Sequence, residues 1–228
     1  MSIKENILYF DEQLKNTPCR LVGVSKTHPV EVIKEAYDAG HRLFGENKVQ
    51  ELIDKYAKLP HDIAWHLIGH LQTNKVKYIA EFVDTIQSVD SLKLLKEINK
   101  RAEMFGRTHP INCMLQISIA DEETKFGMTL KEAESLVQSE EFRSMHYIRL
   151  TGVMGIATNT DNEEKLRQEF RQLRSCFDRL KETYFFANND FKEISMGMTS
   201  DWRIAVEEGS TMIRVGSGIF GARDYSKK

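Results

Sequence analysis

Ile3, Ile7, Phe10 and Leu14 recur at helical spacing and the segment breaks at Asn16-Thr17-Pro18, so the chain is expected to open with an amphipathic helix. Beyond it the pattern alternates. Short apolar runs near 20–25, 42–44, 64–68, 83–88, 111–117, 148–154, 193–196 and 212–215 predict strands. The stretches between them, about 30–39, 47–58, 73–81, 91–104, 129–138, 161–182 and 200–208, carry helical periodicity. Local punctuation agrees with these divisions. Pro29 stands where a first-turn proline is tolerated, Asp90-Ser91 precedes Leu92, Leu95 and Ile98 as an N-cap does, and Gly40 after Ala36-Tyr37-Asp38-Ala39 takes the left-handed C-cap position.

Strands alternating with helices argue for a parallel sheet. Eight of them in 228 residues predict an α/β fold of the closed (β/α)8 TIM barrel type with an extra N-terminal helix. Only four prolines occur and no Gly/Ser-rich linker divides the chain, so 1–228 reads as a single domain. An open doubly wound sheet is the alternative, because periodicity does not order strands.

Composition narrows the partners. Lys and Arg number 32 against 34 Asp and Glu, a net charge of −2, with no basic block to track a phosphate backbone, which argues against nucleic acid. Cys19, Cys113 and Cys176 are odd in number, far apart and without C-x-x-C spacing, as expected of reduced thiols. Met1-Ser2-Ile3-Lys4-Glu5-Asn6 has no apolar signal core and no stretch is long enough to span a bilayer, so a cytoplasmic protein with no membrane attachment is expected.

A barrel keeps its chemistry at the C-terminal ends of its strands. There the sequence places Lys26 after Leu21-Val22-Gly23-Val24, then Gly45-Glu46-Asn47, then Trp65-His66-Leu67-Ile68-Gly69-His70-Leu71-Gln72. Strand six ends in Gly152-Val153-Met154-Gly155-Ile156, strand seven in Ser195-Met196-Gly197-Met198-Thr199, and strand eight in Arg214-Val215-Gly216-Ser217-Gly218-Ile219-Phe220-Gly221. Glycines admit backbone N–H groups close to an anion and hydroxyls add donors without bulk, so the last two strands suggest a phosphate cradle. An isolated amine facing a phosphate cradle suits pyridoxal 5'-phosphate, whose aldehyde condenses with lysine while its phosphate anchors the other end. A Schiff-base aldolase or a phosphate-sugar isomerase would share both features. Asn47 reads either as a helix N-cap or as a contact to the cofactor, and Arg214 either pairs with Glu207 or Glu208 or faces the mouth. His66 and His70 are four apart but lack the glutamate of a metalloprotease helix, and Met154, Met196 and Met198 read as core or wall.

Five segments in register carry a resemblance: Val24-Ser25-Lys26-Thr27, Phe44-Gly45-Glu46-Asn47, Trp65 to Lys75, Ser195-Met196-Gly197-Met198, and Arg214 to Gly221. Together they resemble the pyridoxal phosphate homeostasis proteins, the YggS/PROSC-like family, over nearly the whole chain. The resemblance implies a fold-type III barrel like the N-terminal domain of alanine racemase, with pyridoxal phosphate (PLP) held as an aldimine on Lys26. It also implies that Asn47 and His66 line the ring pocket, that Ser195, Gly197, Gly216 and Ser217 hold the phosphate with Met196 among them, and that Arg214 faces the pyridine nitrogen. Many members have Thr-Ala where this chain has Ser217-Gly218, a change that keeps the hydroxyl donor; Gly155-Ile156-Ala157 and Ser118-Ile119-Ala120 also depart from the family's pattern.

The implied role is to bind, store and supply PLP, with PLP-dependent apoenzymes as transient acceptors and effects on amino-acid and keto-acid metabolism. The rival is a small PLP-dependent racemase. Racemisation needs a base on each face of Cα, and two-domain racemases take one of them, a tyrosine, from an extra β-domain. No such domain is expected here, only Tyr225 in a short tail, so a monomeric carrier without catalytic residues is the expectation.

Overall fold

The computed structural model describes residues 1–120 and 126–222. After α1 (Ile3–Leu14) come eight strands: β1 (Arg20–Val24), β2 (Leu43–Glu46), β3 (Ala64–Leu67), β4 (Thr85–Val89), β5 (Ile111–Gln116), β6 (Ile148–Met154), β7 (Glu193–Ser195) and β8 (Met212–Val215). Each is parallel to the next. β8 returns to β1 through the pairs Arg20↔Met212, Leu21↔Ile213, Val22↔Arg214 and Gly23↔Val215, which closes the barrel and excludes the open sheet.

The connections are α2 (Val30–Asp38), α3 (Val49–Tyr56), α4 (Leu92–Met104), α5 (Leu130–Gln138), α6 (Glu140–Arg143), α7 (Glu163–Tyr184), α8 (Trp202–Glu207) and α9 (Ser217–Phe220). The segment expected to be helical over 73–81 is instead a 3₁₀ turn, Thr73–Tyr78. Polar Thr73, Asn74, Lys75 and Lys77 leave Val76 as its one buried anchor, too little apolar surface to draw out a full α-helix. α6 and α9, at four residues each, fall below the length at which periodicity can announce a helix.

Caps set the boundaries. Ser2 and Glu5 form a reciprocal capping box at the start of α1, Thr129 and Glu132 another at α5, and the Ser91 hydroxyl accepts from the Leu94 N–H at 3.3 Å to begin α4. Pro29 is itself the extended N-cap of α2, one residue before the first turn, and Gly40 takes φ +100° just beyond its end.

Between sheet and helices the core is apolar. Phe44, Trp65, Leu67 and Ile86 from the strands are buried against the inner faces of the helices, and α7 contributes Leu166, Phe170, Leu173, Phe177 and Leu180. Phe191 stacks between Phe177 and Phe185 at centroid distances of 5.3 and 4.2 Å. The first helix braces the end of the barrel. Phe10 meets Trp202 edge-on at 5.4 Å, and Asn6 Nδ2 donates to the Ile219 carbonyl at 2.8 Å, tying α1 to α9.

Candidate functional site

Lys26 follows β1 by two residues, in a turn built from both sides. The Ser25 hydroxyl donates to Glu46 Oε1 at 2.5 Å, and its carbonyl accepts from Lys55 Nζ at 2.8 Å. Thr27 adopts φ +69°, the one positive φ among described non-glycine residues, and its N–H donates to Glu51 Oε2 at 2.8 Å. For a β-branched residue that conformation costs about 1–3 kcal/mol, so the surroundings must impose it. Glu46 is wholly buried; burial pushes its carboxyl up, opposed by Lys55 at 2.6 Å. Burial also acts on Glu51, but the Thr27 N–H and Lys55 outweigh it and hold that carboxyl below its ordinary value.

Asn47 stands at the end of β2. Lys48, not Asn47, is the N-cap of α3, and the Asn47 side chain makes no cap bond. Its Oδ1 is buried without a hydrogen-bond partner, an acceptor that a ligand can satisfy. What brings it there is Gly69, where a Cβ would sit 2.3 Å from the Asn47 carbonyl oxygen. Any side chain at 69 would push the strand-2 end out of place.

The last two strands complete the mouth. Gly197, at φ +94°, leaves no room for a Cβ, which would meet Ala205 Cβ at 2.6 Å, and its carbonyl accepts from the Arg214 N–H at 2.9 Å. Asp201 Oδ1 accepts from Met198 N–H at 2.5 Å and pins the loop carrying Met198, Thr199 and Ser200. α9 has Gly216, without a side chain, as its N-cap, and the Gly218 N–H of its first turn donates to the Thr199 hydroxyl at 3.4 Å.

These elements enclose a cavity of about 330 Å³ lined by Lys26, Asn47, Arg214, Gly216 and Ser217, with Val24, Ile68, Ile156 and Met198 as apolar walls and Thr199 and Ser200 adding hydroxyls. Arg214 is buried inside the barrel, donating from Nη1 to Ser195 Oγ at 2.6 Å and from Nη2 to the Gly155 carbonyl at 2.9 Å. Burial draws its pKa down to about 10, with Asp201 opposing, and it remains cationic at neutral pH. Glu207 and Glu208 pair instead with Arg167 and Arg171.

Four residues named from sequence do not line this cavity. Met196 is wholly buried in the hydrophobic core, and its neighbour Met198 faces the cavity in its place. Ser195 and Gly197 stand behind Arg214, the hydroxyl of Ser195 being taken by Arg214 and Gln87. His66, expected at the ring pocket, likewise lies outside this cavity. His66 pairs with Gly45 and Thr85 in register, one layer deeper in the barrel, and it lines the opposite, N-terminal opening with Asp84 and Thr85.

His66 reaches Arg214 only through others. Gln87 Nε2 bonds His66 Nδ1 at 2.8 Å, Ser195 Oγ donates to Gln87 Oε1 at 2.6 Å, and His66 Nε2 lies 3.4 Å from Asp84. A polar thread thus runs along the barrel axis from Arg214 to Asp84. Gln87 and Asp84 were missed because no motif marks them; the one available signal was a glutamine inside the apolar run 83–88. His70, four residues on from His66, is separate, stacked on Phe126 at 4.0 Å and 3.3 Å from Asp90. Among the described residues no group of three or more His, Cys, Asp or Glu gathers as a metal site would require.

Asp84 gives the thread a pH dependence. Burial alone would raise its carboxyl, but hydrogen bonds from His66, Thr85 and Asn112 outweigh it and bring the pKa from 3.8 down to about 2. A folded value below the unfolded one means the ionised form stabilises the fold. That contribution is complete above about pH 4 and lost as pH falls toward about 2. Urea unfolding at about pH 5 and about pH 2.5 is expected to show a larger loss for the wild type than for Asp84→Asn. Equal losses would remove Asp84 from the account.

The arrangement is one amine, one buried guanidinium, and glycine and hydroxyl residues around a small cavity whose lining also includes Asn47, with its unpaired amide oxygen. Residues 1–224 match the family model of the alanine racemase N-terminal domain, the class to which this barrel corresponds. An alanine racemase of Clostridium difficile shares the fold at a TM-score of 0.77 and 16% identity, over 96% of this chain and 56% of the racemase. The chain belongs, within that class, to the pyridoxal phosphate homeostasis proteins: it is 40% identical to the one of Pasteurella multocida over 99% of this chain and 96% of that protein. PipY of Synechococcus elongatus PCC7942, solved with PLP bound, superposes with a TM-score of 0.86 at 35% identity, covering 96% of this chain and all of PipY.

Proposed function

We propose that this chain holds PLP in the cavity at Lys26, with Lys26 as its covalent attachment point, and stores and supplies it without turning over a substrate of its own. The observation that carries the reading is convergence. An amine from the end of β1 meets a buried arginine and a glycine-serine turn from the end of β8 in one cavity of about 330 Å³. Gly216 and Ser217, with Thr199 and Ser200 opposite, suit the phosphate; Arg214 suits the pyridine nitrogen; Asn47 Oδ1 suits a hydroxyl donor near the amine. Ser195 and Gly197 support Arg214 from behind and do not hold the phosphate themselves. When bound, PLP supplies a carbonyl open to amine attack and a conjugated ring able to accept electrons.

Among the described residues lining the cavity, Lys26 has no second base beside it, since Arg214 keeps its proton. Tyr225, the tail tyrosine weighed as a second base, lies outside the described residues. A carrier needs one anchoring amine and no second base. We further read the protein as a single-domain cytoplasmic monomer handing PLP to apoenzymes. Its free, buried cysteines fit a reducing compartment, and no helix among the described residues is long and apolar enough to cross a membrane.

Incubating the purified chain with PLP is expected to produce a visible absorbance band, and borohydride reduction to leave the pyridoxyl mass on Lys26. A missing band, or a label on another residue, would overturn the site. In heavy water with L-alanine, the loaded protein is expected to leave the α-proton in place; rapid exchange with loss of chirality would establish a racemase.

A further inference from the structure

Three side chains outside the cavity hold the two neighbours of Lys26. On one side, Lys55 Nζ donates to the Ser25 carbonyl at 2.8 Å, and Glu46 Oε1 takes both the Ser25 hydroxyl at 2.5 Å and Lys55 Nζ at 2.6 Å. On the other, Glu51 Oε2 takes the Thr27 N–H at 2.8 Å and lies 3.4 Å from Lys55. The ammonium has three donors, and all three are used within this cluster. Lys55 is thus the hub of a buried clamp whose two arms grip residues 25 and 27.

We propose that Lys55, Glu46 and Glu51 are positioning residues which force the turn at Thr27 and thereby fix the direction in which Lys26 enters the cavity before any ligand arrives. The inference rests on Lys26 being the attachment point. A purely stabilising role accounts poorly for the arrangement, because a buried ion pair is weak as a source of net stability. Nor does stability require a β-branched residue at φ +69°. Thr27 is exposed and loses no packing by leaving that conformation; the bond to Glu51 and the grip on Ser25 hold it there, together with the His28 N–H that closes the turn on the Ser25 carbonyl at 3.1 Å. Without the clamp the turn relaxes toward negative φ and the Lys26 backbone swings with it.

Removing Lys55 itself would strand Glu46 in the core, so the test is made at the partly exposed Glu51. In Glu51→Ala the visible band is expected to grow about tenfold more slowly on adding PLP, the effect of losing one hydrogen bond to a charged acceptor. Glu51→Gln keeps an acceptor for the Thr27 N–H and is expected to load within about twofold of wild type. The deciding variant is Thr27→Gly in the Glu51→Ala background: glycine adopts positive φ without strain, so loading is expected to recover. Two results overturn the clamp while leaving the site intact: label on Lys26 with Glu51→Ala loading at the wild-type rate, or a slow Glu51→Ala that Thr27→Gly does not restore. Label elsewhere than Lys26 in the wild type overturns the site and the clamp together.

Discussion

Replacing Lys26 with alanine is expected to abolish the visible band altogether and to weaken PLP retention by at least about 100-fold, equivalent to about 2.7 kcal/mol. The remaining contacts of the proposed site, Arg214, Asn47 and the Gly216-Ser217 turn, would all be non-covalent, each exchanging a protein partner for water when the ligand leaves. Covalent attachment alone has to be hydrolysed before the ligand can leave. Lys26 is partly exposed in a turn held through its neighbours, so its truncation is expected to leave the fold intact. Equilibrium dialysis with absorbance spectroscopy measures both effects. Retention of PLP by Lys26→Ala within a few-fold of wild type would show that the phosphate and ring contacts, not the amine, do the holding.

Gly69→Ala is expected to be nearly as damaging by a different route. Its Cβ would lie 2.3 Å from the carbonyl oxygen, 2.8 Å from Cα and 2.9 Å from the carbonyl carbon of Asn47, all backbone atoms with no rotamer through which to escape. Either β3 or the end of β2 must move, against the ladder that joins Gly45 to His66 and Glu46 to Leu67. Overpacking of this kind costs roughly 1–3 kcal/mol, and the upper end is expected here because the neighbour is backbone. Glu46 shares the displaced segment, so the grip on Ser25 loosens as well. Urea unfolding and PLP affinity are expected to fall together. A variant as stable and as tight as wild type would mean that the strand ends are free to part without consequence.

Much of this was legible along the chain. The parallel sheet followed from apolar runs that are short, nearly continuous in hydrophobicity and mostly separated by helices, whereas closure rested on the count of eight and is decided against the open sheet by the β1–β8 pairing. Lys26, Asn47, Arg214, Gly216 and Ser217 line one cavity because residues at C-terminal strand ends share one mouth whatever the strand tilt. His66 lies away from it although it is third of four residues in β3, as Arg214 is in β8: depth along the axis depends on the stagger between strands, which a single strand's sequence does not encode. The Ser195 hydroxyl is bound to Gln87, 108 residues earlier, a partner that no local pattern announces. The clamp was out of reach for the same reason: Lys55 lies on α3, and nothing in the spacing of a helical lysine says that its ammonium is buried beneath Ser25.

The thread of side chains from Arg214 to Asp84 has a direction. A guanidinium can only donate and a carboxylate can only accept, so with those two at its ends the order of every bond between them is settled: Arg214 to Ser195, Ser195 to Gln87, Gln87 to His66, His66 to Asp84. Successive dipoles aligned head to tail strengthen one another. Held at the donor end of that chain, Arg214 offers the cavity hydrogens and never a lone pair, so a ligand atom facing it is welcome bare and is turned away when it carries a proton of its own.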